Sequence, residues 1–327
     1  MPSENSTQMV SGKAFEFALL REFFEKLSPK TSVSIVENTS YSIAEHCFVC
    51  LPEKTKSENL LYASCAVNTL IDLEPRLSNS ISNDDILQLE LQKDTEGKIG
   101  DVRDILIIRC LQKWEIGISA KVNNDAVKHS RLSDVLDFGK EWFNLKNTNE
   151  YFNEIKPIFD KLRKQKEKKI KWSELDNKKE EIYTPILNSF EREIRRLYQT
   201  HNEKIVKGLV SYIIGQKDFY KVLKYKGKVE IEAYNFHSSL NLPFENIKSK
   251  CQIFKTPLPT KLIDISHKNT TKPSDGYTTL IIKMDNNWEL SFRLHNAATL
   301  IEPSLKFDVR ITSSPKTLFK LTLNIGE

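Results

Sequence analysis

An acidic and a basic side chain flank two short apolar runs in the first half of the chain. Asp104 directly precedes the run Ile105–Cys110, and Lys121 directly follows the run Trp114–Ala120. Runs of this length and composition, joined by a short linker, predict two antiparallel strands, with the acid and the lysine at neighbouring strand ends. Phosphodiester hydrolysis needs such a pair, because a carboxylate holds a divalent cation and a lysine polarises water and offsets negative charge.

The residues around this pair resemble a nuclease signature. Asp104, a hairpin and then Ser119-Ala120-Lys121 look like the PD-(D/E)xK pattern. The longer string GDVRDILI…WEIGISAK, followed by AVKHSRLS, resembles the HaeIII-like type II restriction endonucleases and is much more specific than the short pattern. The resemblance implies Mg²⁺-dependent cleavage of double-stranded DNA at GGCC, with Asp104 as a metal ligand and Lys121 positioning the nucleophilic water.

One position departs from the PD-(D/E)xK pattern, since Ser119 stands where the second carboxylate is expected. Either fewer carboxylates hold the metal, or another acid replaces the missing one, with Glu16 and Glu115 as the candidates. Asp101 competes with Asp104 for the first position, and we favour Asp104 because an apolar strand follows it directly. An ordinary ion pair, worth little when exposed, is the alternative interpretation of the acid and the lysine.

Side chains of types that bind DNA lie in two further segments. Residues Asp125–Phe138 are predicted as a helix whose start would bind phosphate. The string SFRLHNA…IEPSLKFDV resembles a C-terminal element of several restriction endonuclease families, in which arginine or lysine would bond guanine and asparagine adenine. A solvated helix face, and an ion pair between Arg293 and Glu302, are the alternatives. The predicted DNA contacts are Asn124, Lys128, His129, Ser130, Arg131, Arg293, His295, Asn296 and Lys306.

The composition fits a globular protein. Of the 327 residues, 39% are hydrophobic and 28% are charged, and the net charge of +5 is too mild to indicate a polyanionic partner by itself. Five cysteines and a polar N-terminus predict a reducing cytoplasm, and Cys47, Cys50 and Cys65 are interpreted as buried free thiols rather than zinc ligands. No apolar run approaches the ~20 residues that span a membrane, so no membrane association is expected.

Periodicity and turn signals predict the elements around the central hairpin. Residues 1–10 are predicted as a disordered lead-in, and PEKTKSE as a loop between two helices. A hairpin beginning at Tyr220 either offers lysines to nucleic acid or is an ordinary hairpin with its lysines outward. The other predicted elements are helices at 13–27, 41–51, 59–73 and within 182–214, strands at 31–37 and 84–93, a basic run at 159–181 and three C-terminal strands.

The order helix, strand, strand, strand, helix matches the α/β core that the resemblance implies, namely a PD-(D/E)xK restriction-endonuclease-like core in which helices flank a central mixed sheet. We expect this nuclease core in residues 1–155, a basic helical region in 156–215 and a β-rich DNA-recognition region in 216–327. A type II restriction endonuclease would act alongside a cognate DNA methyltransferase, either as a homodimer on a palindromic site or as a monomer. The alternatives are a structure-selective repair or recombination nuclease, and a non-catalytic DNA-binding protein, which Ser119 would favour.

Overall fold

The structure is a computed structural model that describes residues 4–93, 101–123, 128–268, 277–296 and 298–326, without the side chains of residues 4–7 and 128–129. The chain divides into two compact units, each with its own sheet. The first unit consists of Met1–Asp125, Gly215–Thr256 and Thr317–Glu327, and the second of Ala126–Ile214 and Pro257–Lys316. Within the described residues, no helix is both long and apolar enough to cross a bilayer.

The described residues form runs of α-helices and runs of β-strands, and both classes of element contribute to an α/β protein. The helices are α1 (Glu4–Leu27), α2 (Thr39–Val49), α3 (Glu53–Leu73), α4 (Pro75–Ser78), α5 (Phe138–Phe143), α6 (Asn149–Glu167), α7 (Thr184–His201) and α8 (Glu203–Ile214). The strands are β1 (Val33–Val36), β2 (Leu87–Leu91), β3 (Ile105–Arg109), β4 (Trp114–Val122), β5 (Lys128–Leu132), β6 (Phe219–Tyr225), β7 (Lys228–Tyr234), β8 (Leu262–His267), β9 (Thr279–Met284), β10 (Glu289–Asn296), β11 (Leu305–Ser313) and β12 (Phe319–Asn324).

A seven-stranded mixed sheet, in the order β1-β2-β3-β4-β6-β7-β12, forms the first unit. Strands β2, β3 and β4 are antiparallel neighbours, whereas β6 runs parallel to β4. Alternate residues of the central strands, such as Leu89, Ile107 and Ile118, are fully buried in one core with the apolar faces of α1, α2 and α3. The predicted central mixed sheet with flanking helices is confirmed, and its other face carries polar side chains together with apolar ones such as Leu106 and Ile108.

Two predictions for the N-terminal segments are wrong. Helix α1 begins at Glu4, so the predicted lead-in is largely helical. Helix α3 begins at Glu53, immediately after Pro52, so PEKTKSE is the first helical turns rather than a loop. Polar composition suggested a loop there, but a proline just before a helix is compatible with helix initiation, and Lys56 bonds Glu53 across the first turn at 2.8 Å.

The second unit contains a five-stranded antiparallel sheet in the order β5-β11-β10-β9-β8. Its inner face packs against helices, and the rings of Phe190 on α7 and Phe307 on β11 lie 5.0 Å apart. The helix predicted over Asp125–Phe138 is wrong, because residues 128–132 form β5 and α5 begins only at Phe138. Pairing with β11, more than 170 residues later, overrides the local helical pattern.

The compact units do not follow the predicted boundaries at 155/156 and 215/216. The hairpin β6–β7 extends the first sheet through the parallel pairing of β4 with β6, and β12 adds to β7 at its edge. Strand β5 follows β4 in the chain, but it pairs with β11 and therefore belongs to the second sheet. Both exchanges depend on pairing between distant segments, which periodicity within a segment does not report.

Glu74, between α3 and α4, is a fully buried acid that makes stability depend on pH. The hydroxyl of Tyr220 and the backbone N–H of Asn241 each donate to its Oε1 at 2.6 Å. Burial raises the pKa of Glu74 to about 7, although these hydrogen bonds and Arg76 oppose the shift.

We expect the protein to lose stability as the pH rises from about 4.5 through 7, because unfolded Glu74 ionises first. The loss is on the order of 3 kcal/mol, at about 1.4 kcal/mol for each pKa unit. Urea unfolding at pH 5 and pH 8 measures it, and Glu74→Gln should show a shallower pH dependence. An equal change in the free energy of unfolding between pH 5 and pH 8 for the wild type and Glu74→Gln would contradict this expectation.

Candidate active site

Asp104 and Lys121 meet at the end of the β3–β4 hairpin. The pairing of Ile105 with Ile118 places Asp104 opposite Ser119, and the Asp104 N–H donates to the Ile118 carbonyl at 2.8 Å. The Asp104 Oδ2 accepts hydrogen bonds from the Ala120 N–H at 2.7 Å and from the Lys121 ammonium at 3.1 Å. The predicted juxtaposition of carboxylate and ammonium is therefore present, and both side chains are partly exposed.

Glu16 of α1 is the carboxylate that the fold brings beside this pair. Its residue is 7% exposed, and Lys13, one turn earlier, donates to its Oε2 at 3.0 Å. Burial raises the pKa of Glu16 to about 8, and the charge of Asp104 adds to the increase, while Lys13 and Lys121 oppose it. Two carboxylates and two ammonium groups thus share one small region of the first unit.

Glu115, the other candidate acid, lies towards the far end of β4. Four residues separate it from Ser119, a distance of about 13 Å along a strand. Its carboxylate accepts from the Arg103 guanidinium at 2.5 Å, and the aliphatic part of the same side chain covers Gly117, where a Cβ would lie only 2.0 Å from Arg103 Cδ. The arginine therefore stands between Glu115 and the Asp104–Lys121 pair.

Asp101, the rival for the first acidic position, is held by the same arginine. The Arg103 Nε and Nη2 atoms donate to its two carboxylate oxygens at 2.8 and 2.6 Å. Burial opposes ionisation, but these bonds hold the pKa of Asp101 below its ordinary value. With both oxygens bound, Asp101 is a structural anchor for the chain that leads into Asp104.

The sequence reasoning missed Lys221 as a neighbour of the site. In the parallel pairing of β4 with β6, Lys221 is the partner of Ser119, so Asp104, Ser119 and Lys221 occupy one row across three strands. The alternative of outward lysines in this hairpin is wrong for Lys221 and Lys224, which are 6% and 8% exposed, whereas Lys226 in the turn is exposed. The row of cross-strand neighbours could have identified Lys221. Finding that row requires knowing which strand pairs with β4, and the sequence alone does not show this.

The acids beside Lys121 fit a magnesium ion in number and type. Mg²⁺ commonly takes one or two carboxylates and completes its shell with water and phosphate oxygens. Asp104 and Glu16 supply such a pair. Burial and then the charge of Asp104 raise the pKa of Glu16, and a cation between the two carboxylates would favour its ionised form. Within the described residues no group of three or more histidine, cysteine or acidic side chains has metal-binding geometry.

The cysteines are free thiols, as predicted, but not all of them are buried. Cys47 is buried, whereas Cys50 is exposed and Cys65 is only partly buried. The expectation of burial was wrong for Cys50 because it is the cap residue that ends α2.

Several predicted DNA contacts come together on the open face of the second sheet. Lys306 pairs with Arg131 on one side and His295 on the other, which makes a row across β5, β11 and β10. Arg293 is exposed on the next row of the same face, beside Asp308. Burial lowers the pKa of Lys306 and the charge of Arg131 lowers it further, as expected for adjacent cations.

Other predicted contacts do not belong to this face. Ser130 is 4% exposed and pairs with the buried Phe307, because alternation along β5 turns it inward. The Asn296 amide lies between the Tyr183 hydroxyl and the Ala298 carbonyl, at 3.4 and 2.9 Å. The alternative pairing of Arg293 with Glu302 is replaced by an approach of Arg131 to Glu302, at 4.0 Å. Asn124, and the side chains of Lys128 and His129, lie outside the described residues.

Comparisons with known proteins identify relatives along almost the whole chain. The family model described as "HaeIII restriction endonuclease" matches residues 12–315, a range that contains all the side chains of the candidate site. The chain is similar to the type II restriction enzyme HaeIII of Haemophilus aegyptius, with 39% identity over 313 residues, which cover 95% of this chain and 96% of that protein. No solved structure gives a significant match.

Proposed function

The chain belongs to the HaeIII restriction endonuclease family and is a site-specific deoxyribonuclease, and from its site we propose Mg²⁺-dependent cleavage of double-stranded DNA at GGCC. The observation that carries the catalytic part is the 3.1 Å contact between the Lys121 ammonium and the Asp104 carboxylate, beside the buried carboxyl of Glu16. The GGCC site is the target that the resemblance to HaeIII-like enzymes implies.

Each side chain of the site has a distinct part in the proposed reaction. Asp104 and Glu16 would hold the ion, which when bound supplies positive charge to the phosphate and lowers the pKa of water. Asp104 is held in place by the Ala120 N–H, so its carboxylate is oriented by the backbone of the neighbouring strand. Lys121, bonded to the same oxygen atom, orients the attacking water and offsets the negative charge that develops on the phosphate.

We assign DNA recognition to the open face of the five-stranded sheet. The row formed by Arg131, Lys306 and His295, with Arg293 beside it, places three cations and an imidazole on a surface of alternate strand residues. Arginine and lysine bond guanine O6 and N7 in the major groove. The amide of Asn296, which would read adenine, is engaged by its own unit, and this agrees with a target that contains only G·C pairs.

Replacing Lys306 with alanine should weaken binding to a cognate duplex by about tenfold or more, because a base or phosphate contact is worth roughly 1–3 kcal/mol. Binding isotherms at several salt concentrations separate two cases. If Lys306 contacts a phosphate, its loss lowers the salt slope by about one. If it contacts a base, its loss lowers the discrimination against mismatched sites. Arg192→Ala, on α7 and ion-paired with Glu154, is the control. If Lys306→Ala binds with unchanged affinity and unchanged discrimination, this face of the sheet does not take part in DNA recognition.

Digestion of a plasmid with Mg²⁺, followed by sequencing of the termini, tests the proposed function. Discrete fragments that end within GGCC support it. Nicks at branched or damaged structures would instead indicate a structure-selective nuclease, and binding without cleavage would indicate a DNA-binding protein with an inactive site. Termini at another fixed sequence would support the endonuclease activity and contradict the proposed GGCC specificity.

The proposal extends to the partners of the enzyme. A palindromic target suits a two-fold homodimer that places one active site on each strand. A four-base target also occurs in the DNA of the cell itself, which the enzyme would cut unless that DNA is modified. We therefore propose that the enzyme acts alongside a cognate methyltransferase and in the cytoplasm. Sedimentation with a cognate duplex measures the stoichiometry, and two protein chains per duplex are expected.

A further inference from the structure

A turn rich in lysine follows helix α6 in the second unit. The helix ends at Glu167, and residues 164–171, which we call the lysine turn, contain five lysines and one acid, all of them exposed. In the described part of the chain, the side chains of Lys166, Lys168 and Lys169 form no ion pair. The lysine turn is therefore a cluster of positive charge that the unit itself does not neutralise.

The backbone of the lysine turn adopts a conformation that lysine does not favour. The Ile170 N–H donates to the Gln165 carbonyl at 3.2 Å, and the Lys169 N–H donates to the Lys166 carbonyl at 2.9 Å. These are the paired hydrogen bonds of a Schellman motif, whose turning residue takes the left-handed conformation and is usually glycine. Lys169 has this position, with a φ of 56°. Glycine would be more stable there, and departures from local rules are expected where a side chain serves function.

Two backbone hydrogen bonds join the lysine turn to the five-stranded sheet of the same unit. The Ile301 N–H donates to the Ile170 carbonyl at 3.0 Å, and the Trp172 N–H donates to the Thr299 carbonyl at 3.1 Å. Residues 299–301 belong to the connection between β10 and β11, at the end of the sheet where Lys306 lies. Trp172 is only 3% exposed, so a buried side chain holds the turn beside the cations of the open face.

We propose that the lysine turn binds the phosphate backbone of the DNA duplex beside the target sequence, while the open face of the five-stranded sheet reads the bases. This inference rests on the proposed assignment of DNA recognition to that face. Lysine ammonium groups bind phosphates as point charges, and such contacts position a duplex without carrying sequence information. The hydrogen-bonded turn fixes these charges relative to the reading surface, which sets the register of the duplex on it.

Replacing Lys166, Lys168 and Lys169 together with glutamine tests the proposal. Each lost phosphate contact lowers the salt slope of binding by about 0.9, so without divalent metal the triple variant should show a slope smaller by about 2–3. The change should be the same for a GGCC duplex and for a duplex that lacks this sequence. Uncharged methylphosphonate linkages placed outside GGCC should weaken binding by the wild type and have little further effect on the triple variant.

Lys169→Gly separates a role in binding from a role in the fold. Glycine adopts the left-handed conformation readily, so this variant should melt at a higher temperature than the wild type. Its salt slope should nevertheless fall by about one, because one phosphate contact is lost. A lysine that only stabilised the end of α6 through the helix dipole would give the opposite pair of results, a lower melting temperature and an unchanged slope.

Lys156→Gln is the matched control. Lys156 is exposed on the same helix, about 15 Å from Lys166 along the helix axis, and its loss should leave the salt slope unchanged. An unchanged slope in the triple variant, or an equal effect of Lys156→Gln, would overturn the proposal. A loss confined to the GGCC duplex would also overturn it, because the lysines would then read sequence. A wild type that binds both duplexes equally would reject the proposed recognition function, whereas the slopes of wild type and triple variant test the lysine turn on either duplex.

Discussion

Replacing Lys121 with alanine should reduce cleavage about 10³-fold or more and leave DNA binding measurable. The ammonium is 3.1 Å from the Asp104 carboxylate, so it lies where the ion, the water and the phosphate must meet. A general acid–base or charge-stabilising group at such a position contributes about 10²–10⁴-fold to rate. Asp104→Asn should be at least as damaging, because it keeps the shape of the side chain and removes the charge that holds the ion.

Single-turnover cleavage of a cognate duplex and metal-free binding measure the two effects separately. Lys113→Ala is the control, since Lys113 is an exposed lysine in the turn at the opposite end of the same hairpin. A near wild-type rate in Lys121→Ala would remove Lys121 from the active site. Loss of binding together with cleavage would instead place its main role in holding DNA.

The hairpin that carries Asp104 and Lys121 was predictable because its pairing is local. Only a few residues join β3 to β4, so alternation fixes both the register and the face. Glu16 was a candidate by resemblance alone, and its proximity to Asp104 depends on how α1 packs against the sheet. Glu115 shares the face of Lys121, as predicted, but strand alternation gives no warning that Arg103 lies between them.

The segment after β4 shows where local patterns fail. Residues 128–132 have a helical pattern of charges, yet they form an edge strand against β11. In this strand the Ser130 side chain is buried, whereas a helix would have exposed it. The strand also places Arg131 beside Lys306, a pairing that no local pattern predicts. Lys221 was missed for the same reason, since its neighbour Ser119 lies about a hundred residues earlier in the chain.

Glu16→Gln should lower Mg²⁺-supported cleavage about 10²-fold or more and raise the Mg²⁺ concentration needed for half-maximal rate. Glu16 is the carboxylate whose pKa responds to the charge of Asp104, so it is the acid placed to share an ion with it. Burial favours the neutral form of this side chain, and glutamine has the same shape. We therefore expect the metal-free variant to melt at about the wild-type temperature, which separates an effect on the site from an effect on the fold.

Glu115→Gln is the discriminating comparison, because Glu115 was the rival for the missing acid. Its carboxylate is bonded to Arg103, and its loss should cost some stability while the cleavage rate stays within about fivefold of wild type. The reverse result, an inactive Glu115→Gln and an active Glu16→Gln, would mean that Arg103 releases Glu115 when DNA and metal bind. A rate that falls little in both variants would leave Asp104 as the sole protein carboxylate on the ion.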